Sequence, residues 1–176
     1  PEQGRLFTAN QRVIDAEGVR RFGDGGYALG ARAAAIREGL QVQDPFDEAS
    51  LLKLQLDNRS YLLDRWAALM RQCNARTALP QREQIAALLS NWQGRAEVDS
   101  AAYRLVRDFR FAVHAKFTAA LAVPMVAMHA DFKWPTLGQM EGVVWQLLEE
   151  RPVHLLDPRL VSYDALVDAA LQAVVE

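Results

Sequence analysis

The chain has 176 residues, enough for one domain with a real core, since ~150 residues bury roughly 70% of their unfolded surface. Its 51% apolar and 24% charged residues are the make-up of a soluble globular protein, and 20 basic against 22 acidic residues, well mixed, speak against a nucleic-acid face or an acidic tail. No run reaches the ~18 apolar residues of a membrane span, and no signal peptide opens the chain, so no membrane partner is expected.

The first predicted element is a short strand over 5–9, Arg-Leu-Phe-Thr-Ala, ended by Asn10-Gln11. From Gln11 to Gly30 no period is visible and five of the ten glycines fall there, which reads as one long loop. A helix is expected from Ala31 to about Glu38, stopped by Gly39. Asp44-Pro45-Phe46-Asp47 then opens a long helix to about Asn74, with Asp47 as N-cap and Phe46 stapled against Leu51. Pro80 restarts a helix striped by Ile85, Leu88, Leu89 and Trp92, and Gln93-Gly94 stops it. Asp99 or Ser100 caps the next, with Ala102, Leu105, Val106, Phe109, Val113 and Phe117 inward, until Pro124 breaks or kinks it. Pro135-Thr136 begins another helix, to about Glu149, and Ser162 caps a last one from Tyr163 to about Val175.

The expected fold is therefore mainly α, an irregular segment of six or seven helices with a short N-terminal strand. Residues 1–30 form the strand and glycine-rich loop and 31–176 the helical region. An unpaired strand cannot satisfy its own backbone. That mismatch, and an opening at Pro1 without an initiator Met, lead to the expectation of a single fragment excised from a larger protein, whose unpartnered edges invite self-association.

Self-contained chemistry is hard to find along the chain. Cys73 stands alone, which excludes an internal disulfide and Cys/His zinc spacing, and inside an apolar helical pattern it reads as a small buried hydrophobe. His114, His129 and His154 lie far apart without an obvious carboxylate, so His114 reads as a structural histidine. His129-Ala-Asp131 lacks a third metal ligand. Glu38, Glu48 and Glu141 show no acid–base pairing. Trp66, Trp92, Trp134 and Trp145 read as packing residues, and Arg104-Arg107-Asp108-Arg110 as a solvated helix face. Gly23-Asp24-Gly25-Gly26 follows no convincing strand and reads as a loop rather than a nucleotide fingerprint.

Four segments in order nevertheless resemble the penicillin acylase (penicillin amidase) family of N-terminal nucleophile hydrolases. Gly4 to Gln11 is similar to the strand and paired-amide motif that carries the family's oxyanion-hole asparagine. Gly30-Ala31-Arg32, leading into Ile36-Arg37, resembles its arginine at a helix start, and the interval of 22 residues from Asn10 to Arg32 agrees. Phe46 to Asp57 looks like the family's helix entry followed by Gln-x-Asp. Ala86 to Gly94, with Asp99-Ser100-Ala101 after it, resembles its Leu-x-x-Trp-Asp-Gly element, with Gln93 in place of the usual Asp.

The resemblance implies the helical middle part of the catalytic β chain of an αββα enzyme. The N-terminal Ser nucleophile and the sheet that follows would lie elsewhere, in the α chain and the rest of the β chain, leaving this fragment inactive alone. Asn10 would be an oxyanion-hole donor and Arg32 a site-organising residue. The substrate would be a small acylated amide, a β-lactam, an N-acyl homoserine lactone or a lipopeptide, with the parent periplasmic or secreted. No cofactor or metal is expected. Two plainer readings stand beside it: Asn10 ending a strand with a turn and Arg32 pairing with a loop carboxylate such as Asp24, in a non-catalytic helical interaction domain or a degenerate acylase relative.

Overall fold

The computed structural model describes residues 4–23, 25–42, 45–135 and 137–176. Asp24, Asp44 and Thr136, which the sequence reading used as a carboxylate partner and as helix starts, lie outside the described residues, as does Pro1. Eight α-helices follow in order among the described residues: α1 (Ala16–Phe22), α2 (Ala31–Leu40), α3 (Glu48–Gln55), α4 (Tyr61–Arg76), α5 (Arg82–Ser90), α6 (Ala101–Met128), α7 (Met140–Glu150) and α8 (Tyr163–Val175), with a 3-10 turn at Val153–Leu155 between α7 and α8.

The capping chemistry of the sequence sets several of these starts. Asp47 and Ser50 form a reciprocal capping box on α3, Asp47 Oδ1 accepting from the Ser50 N–H at 2.9 Å and Ser50 Oγ from the Asp47 N–H at 3.0 Å. The Ser50 hydroxyl, which donates to Asp47 Oδ1 at 2.6 Å, and then the Ser50 N–H hold the Asp47 carboxyl below its usual range. Ser100 Oγ accepts from Tyr103 N–H at 3.2 Å and Ser162 Oγ from Ala165 N–H at 3.0 Å, as hydroxyl N-caps do.

Four expectations are corrected. The stretch 5–9 is no strand, although exposure alternates residue by residue from Gly4 to Asn10 as it would in one; among the described residues no neighbour forms a ladder with it. The supposed loop 11–30 contains α1, which no apolar period could reveal because it buries no residue. Its signal is Asp15, whose Oδ1 caps Gly18 N–H at 2.8 Å, with Gly23 at φ 77° closing the far end. The single long helix from Asp47 to Asn74 is two, α3 and α4. Between them Asn58 O accepts from Ala96 N–H at 2.9 Å and Gly94 O from Ser60 N–H at 2.7 Å, so these backbone groups bond across to 94–96 instead of along a helix. Finally, of the break or kink expected at Pro124, the break does not occur: α6 runs on to Met128 with His129 N–H on Met125 O at 2.9 Å. Proline's φ suits a helix, and its missing donor costs least at a helix end standing clear of the core.

The core is built on α4, α6 and α8. Trp66, Met70 and Cys73 from α4 meet Val106, Phe109, Val113 and Phe117 from α6, and Leu166, Ala170 and Leu171 from α8 close the other side, all fully buried. Trp66 packs edge-on against Phe109 with centroids 6.3 Å apart, an arrangement that adds ~0.5–1.5 kcal/mol to area burial. Cys73 is the buried hydrophobe its surroundings suggest. Burial, with the Asp168 carboxylate accepting from its thiol at 3.0 Å, pushes it up to about 12.

By length and composition α6 is apolar enough to cross a membrane, a correction to the expectation of no such run: mean hydropathy reaches 1.5 over 18 residues. Its first half is a core helix carrying Arg104, Arg107 and Arg110. Its last turns stand clear, with Val123, Met125, Val126 and Met128 all exposed.

Candidate functional site

At the N-terminal end the chain turns sharply at Asn10, whose φ of 62° is left-handed. Asparagine is among the few residues that accept this conformation, because its short amide compensates locally. The turn is held from both sides. Gln11 Oε1 accepts from Ala9 N–H at 2.7 Å, and Asn10 O accepts from Ala28 N–H at 2.8 Å, within an isolated parallel bridge between Gln11 and Ala28.

Arg32 lies in the first turn of α2 and reaches back across this turn. Its Nη2 donates to Asn10 Oδ1 at 2.9 Å and to Ala9 O at 3.1 Å. A cation in the first turn of a helix opposes the macrodipole at a cost of ~0.3–1 kcal/mol, so its place there calls for other contacts, and these two supply them. The two residues picked out by resemblance, 22 positions apart, are thus in direct contact.

The consequence for the amide is chemical. A side-chain amide has one acceptor end and one donor end. Arg32 occupies the acceptor end, which assigns the other end as NH2; among the described residues that Nδ2 has no hydrogen-bond partner, and Asn10 is exposed. The arrangement presents a donor outward with its orientation fixed from behind.

A third element braces this turn from far along the chain. Gln139, the N-cap residue of α7, donates its amide to Tyr27 O at 3.0 Å and to Ala28 O at 2.9 Å. Gly138 beside it approaches so closely that an added Cβ would lie 2.4 Å from the Tyr27 carbonyl oxygen. Neither residue carried any signal in the sequence, because the contact joins positions more than 110 apart.

An open cavity of about 840 Å³ lies between α2, α3 and the start of α4, floored by Ile36, Leu54 and Leu62. Arg32 lines it and Asn10 does not. Asp57 and Arg59 border it, and the hydrogen bond from Arg59, with Nε to Oδ1 at 2.8 Å, holds the Asp57 carboxyl below its usual range despite some opposing desolvation.

The second polar centre lies in the core, where the sequence reading found no pairing. Glu141 is 6% exposed and collects donors from three helices. Trp66 Nε1 donates to Oε1 at 2.5 Å and Trp145 Nε1 at 3.2 Å, while Arg110 Nε at 2.8 Å and His114 Nε2 at 3.1 Å face Oε2. Burial by itself raises this carboxyl, but hydrogen bonds from His114, Arg110 and Trp66 and the Arg110 charge outweigh it and hold the group down to about 2. His114 therefore has a carboxylate partner after all, which corrects the reading that it lacks one. Four donors on two oxygens leave nothing to react; the cluster ties α4, α6 and α7 together.

No curated protein and no solved structure matches the chain. The family model described as penicillin amidase matches residues 1–176, the full length given. The chain belongs to the penicillin amidase family, and is thereby related to the amide-hydrolysing acylases.

Proposed function

We propose that this chain is the part of a penicillin amidase-type acylase that supplies the oxyanion donor, Asn10, and the arginine that organises it, Arg32. The observation that carries the reading is the Arg32 Nη2 to Asn10 Oδ1 bond of 2.9 Å, which leaves the amide's donor end facing outward. In this reading a serine at the N-terminus of the catalytic chain, outside these residues, attacks the carbonyl carbon of an acylated amide. Its own α-amine, with a pKa of about 8, takes the hydroxyl proton. The carbonyl oxygen becomes an anion and receives a hydrogen bond from Asn10 Nδ2. Collapse of the tetrahedral species expels the amine, which takes the proton, and water then hydrolyses the acyl-enzyme by the same steps. The substrate class is an acylated β-lactam, N-acyl homoserine lactone or lipopeptide. The parent enzyme acts in the periplasm or outside the cell, in an αββα fold whose sheet and α chain complete the site.

The paired guanidinium explains why arginine is needed. One nitrogen, Nη2, reaches both the Ala9 carbonyl and the Asn10 amide, and the guanidinium plane fixes the directions of its two N–H groups, which a freely rotating lysine ammonium does not. Without the rest of the enzyme the donor has no nucleophile, so the isolated chain is expected to give no turnover of a chromogenic acyl amide. In the complete enzyme Asn10→Gly is the cleaner test, because glycine accepts the left-handed backbone and removes only the amide. Maturation and folding should persist while kcat falls about a hundredfold or more. Full activity in that variant would overturn the reading.

The alternative of a non-catalytic helical interaction domain has one observation in its favour, the exposed apolar end of α6 around Val123, Met125, Val126 and Met128. Wild-type turnover that is absent in the complete protein, with partner binding lost on mutating this end, would favour it instead.

A further inference from the structure

We infer that Gln139 is a positioning residue for the Asn10 donor, acting through the Tyr27–Ala28 segment; the inference rests on the oxyanion reading above. Asn10 has a short side chain on an exposed turn, so its aim is set by the backbone beneath it. That backbone has one bond to the segment opposite, from Ala28 N–H to Asn10 O at 2.8 Å. The segment opposite is in turn gripped by Gln139, whose amide nitrogen donates to the carbonyls of both Tyr27 and Ala28, at 3.0 and 2.9 Å. A single NH2 bridging two consecutive carbonyls fixes the peptide plane between them, and with it the direction of the Ala28 N–H.

The same segment leads directly into α2, which begins at Ala31. Gln139 therefore braces the supports of both partners in the Asn10–Arg32 contact, one through the Ala28 N–H and the other through the start of α2. Gly138 makes the grip possible, because a Cβ there would meet the Tyr27 oxygen at 2.4 Å. The helix that carries Gln139, α7, is anchored in the core by Glu141, two residues further on, in contact with Trp66, Arg110 and His114. A rigid path runs from the buried carboxylate cluster through α7 to the exposed amide. Residues that hold a catalytic group within a fraction of an ångström matter in this way, since a displacement of 1 Å costs on the order of a hundredfold in rate.

The grip depends on a donor at position 139, and this makes it separable from a merely structural role. In the complete enzyme Gln139→Ala should lower kcat about tenfold with KM within about twofold, the pattern of a lost transition-state interaction. Gln139→Glu keeps the size but turns acceptor oxygens on two carbonyls, and should lower kcat at least as far. Gln139→Lys restores a donor and should recover part of the loss. The decisive readout is a cycle with Asn10→Gly: if Gln139 acts through the amide of Asn10, Gln139→Ala adds nothing to the residual rate of that variant. Amide exchange of the peptide containing Ala28 in the complete enzyme should quicken in Gln139→Ala, and this holds even if activity is lost for another reason.

The two ideas fail separately. Asn10→Gly at full activity sinks the oxyanion reading. Asn10→Gly crippled, with Gln139→Ala and Gln139→Glu at wild-type kcat and Ala28 exchange unchanged, sinks only the positioning role. Equal losses in Gln139→Ala and Gln139→Lys, or additive losses with Asn10→Gly, also overturn it, because they describe general destabilisation.

Discussion

The Glu141 cluster and the Asn10–Arg32 pair use the same groups, arginine with an oxygen acceptor, to opposite ends. Around Glu141 both oxygens are occupied, by two indoles, a guanidinium and an imidazole, and the group is 6% exposed. At Asn10 the guanidinium occupies one end of an exposed amide and the other end has no partner among the described residues. A satisfied buried polar group specifies how helices meet, whereas a half-satisfied exposed one, held rigid from behind, retains bonding capacity for something that arrives. The core centre should therefore respond in stability and the terminal pair in chemistry.

The largest expected effect breaks the core side of this contrast. Glu141→Ala strands Arg110, His114 and two indole N–H groups in the interior and should destabilise the fold by about 3–5 kcal/mol, read by chemical denaturation. A loss below about 1 kcal/mol would mean the cluster is dispensable. Acid sharpens the same side. The folded Glu141 carboxyl sits at about 2 against an ordinary 4.5, so the unfolded chain takes up the proton first. Its stabilisation is complete above about 4.5 and is lost as pH falls from there toward 2. Glu141→Gln should flatten that part of the Tm-against-pH curve, and an unchanged slope would assign the acid sensitivity to other carboxylates.

On the other side, Arg32→Lys should cost activity and little stability. Loss of the guanidinium's fixed N–H directions should lower kcat about tenfold, equivalent to ~1.4 kcal/mol in the barrier, with Tm within about 2 °C. A large fall in Tm with kcat intact would make Arg32 structural. The smallest effect serves as a control on an ordinary cap: Asp47→Ala removes the α3 capping box, should lower Tm slightly and should leave kcat alone.

The contrast also separates what the sequence makes legible from what it hides. Local chemistry is readable: Asp47 and Ser162 cap helix starts where expected, Ser100 is the one of the pair Asp99 and Ser100 that caps α6, and the buried residues of α6 fall within its 3.6-residue stripe. Where a segment buries nothing, as in α1, periodicity is silent and only Asp15 was available as a cue. Where the backbone finds distant partners, as Asn58 and Ser60 do with Ala96 and Gly94, a continuous apolar stripe overstates the helix. Glu141 was invisible for the same reason, although Arg110 and His114, four apart on one face of α6, were a usable hint. The Asn10–Arg32 pair came from family resemblance alone, because neither residue type nor spacing distinguishes it from a turn and a surface arginine. Gln139 lies beyond both methods, being defined by a contact across more than 110 residues.

The most direct measurement is the kcat of Asn10→Asp in the complete enzyme, taken with its Tm. Aspartate keeps the left-handed turn and gives Arg32 a stronger acceptor, while offering no N–H to a developing anion. The account predicts an intact or raised Tm with kcat down by about a hundredfold or more. A stable Asn10→Asp enzyme that turns over substrate at the wild-type rate would contradict it.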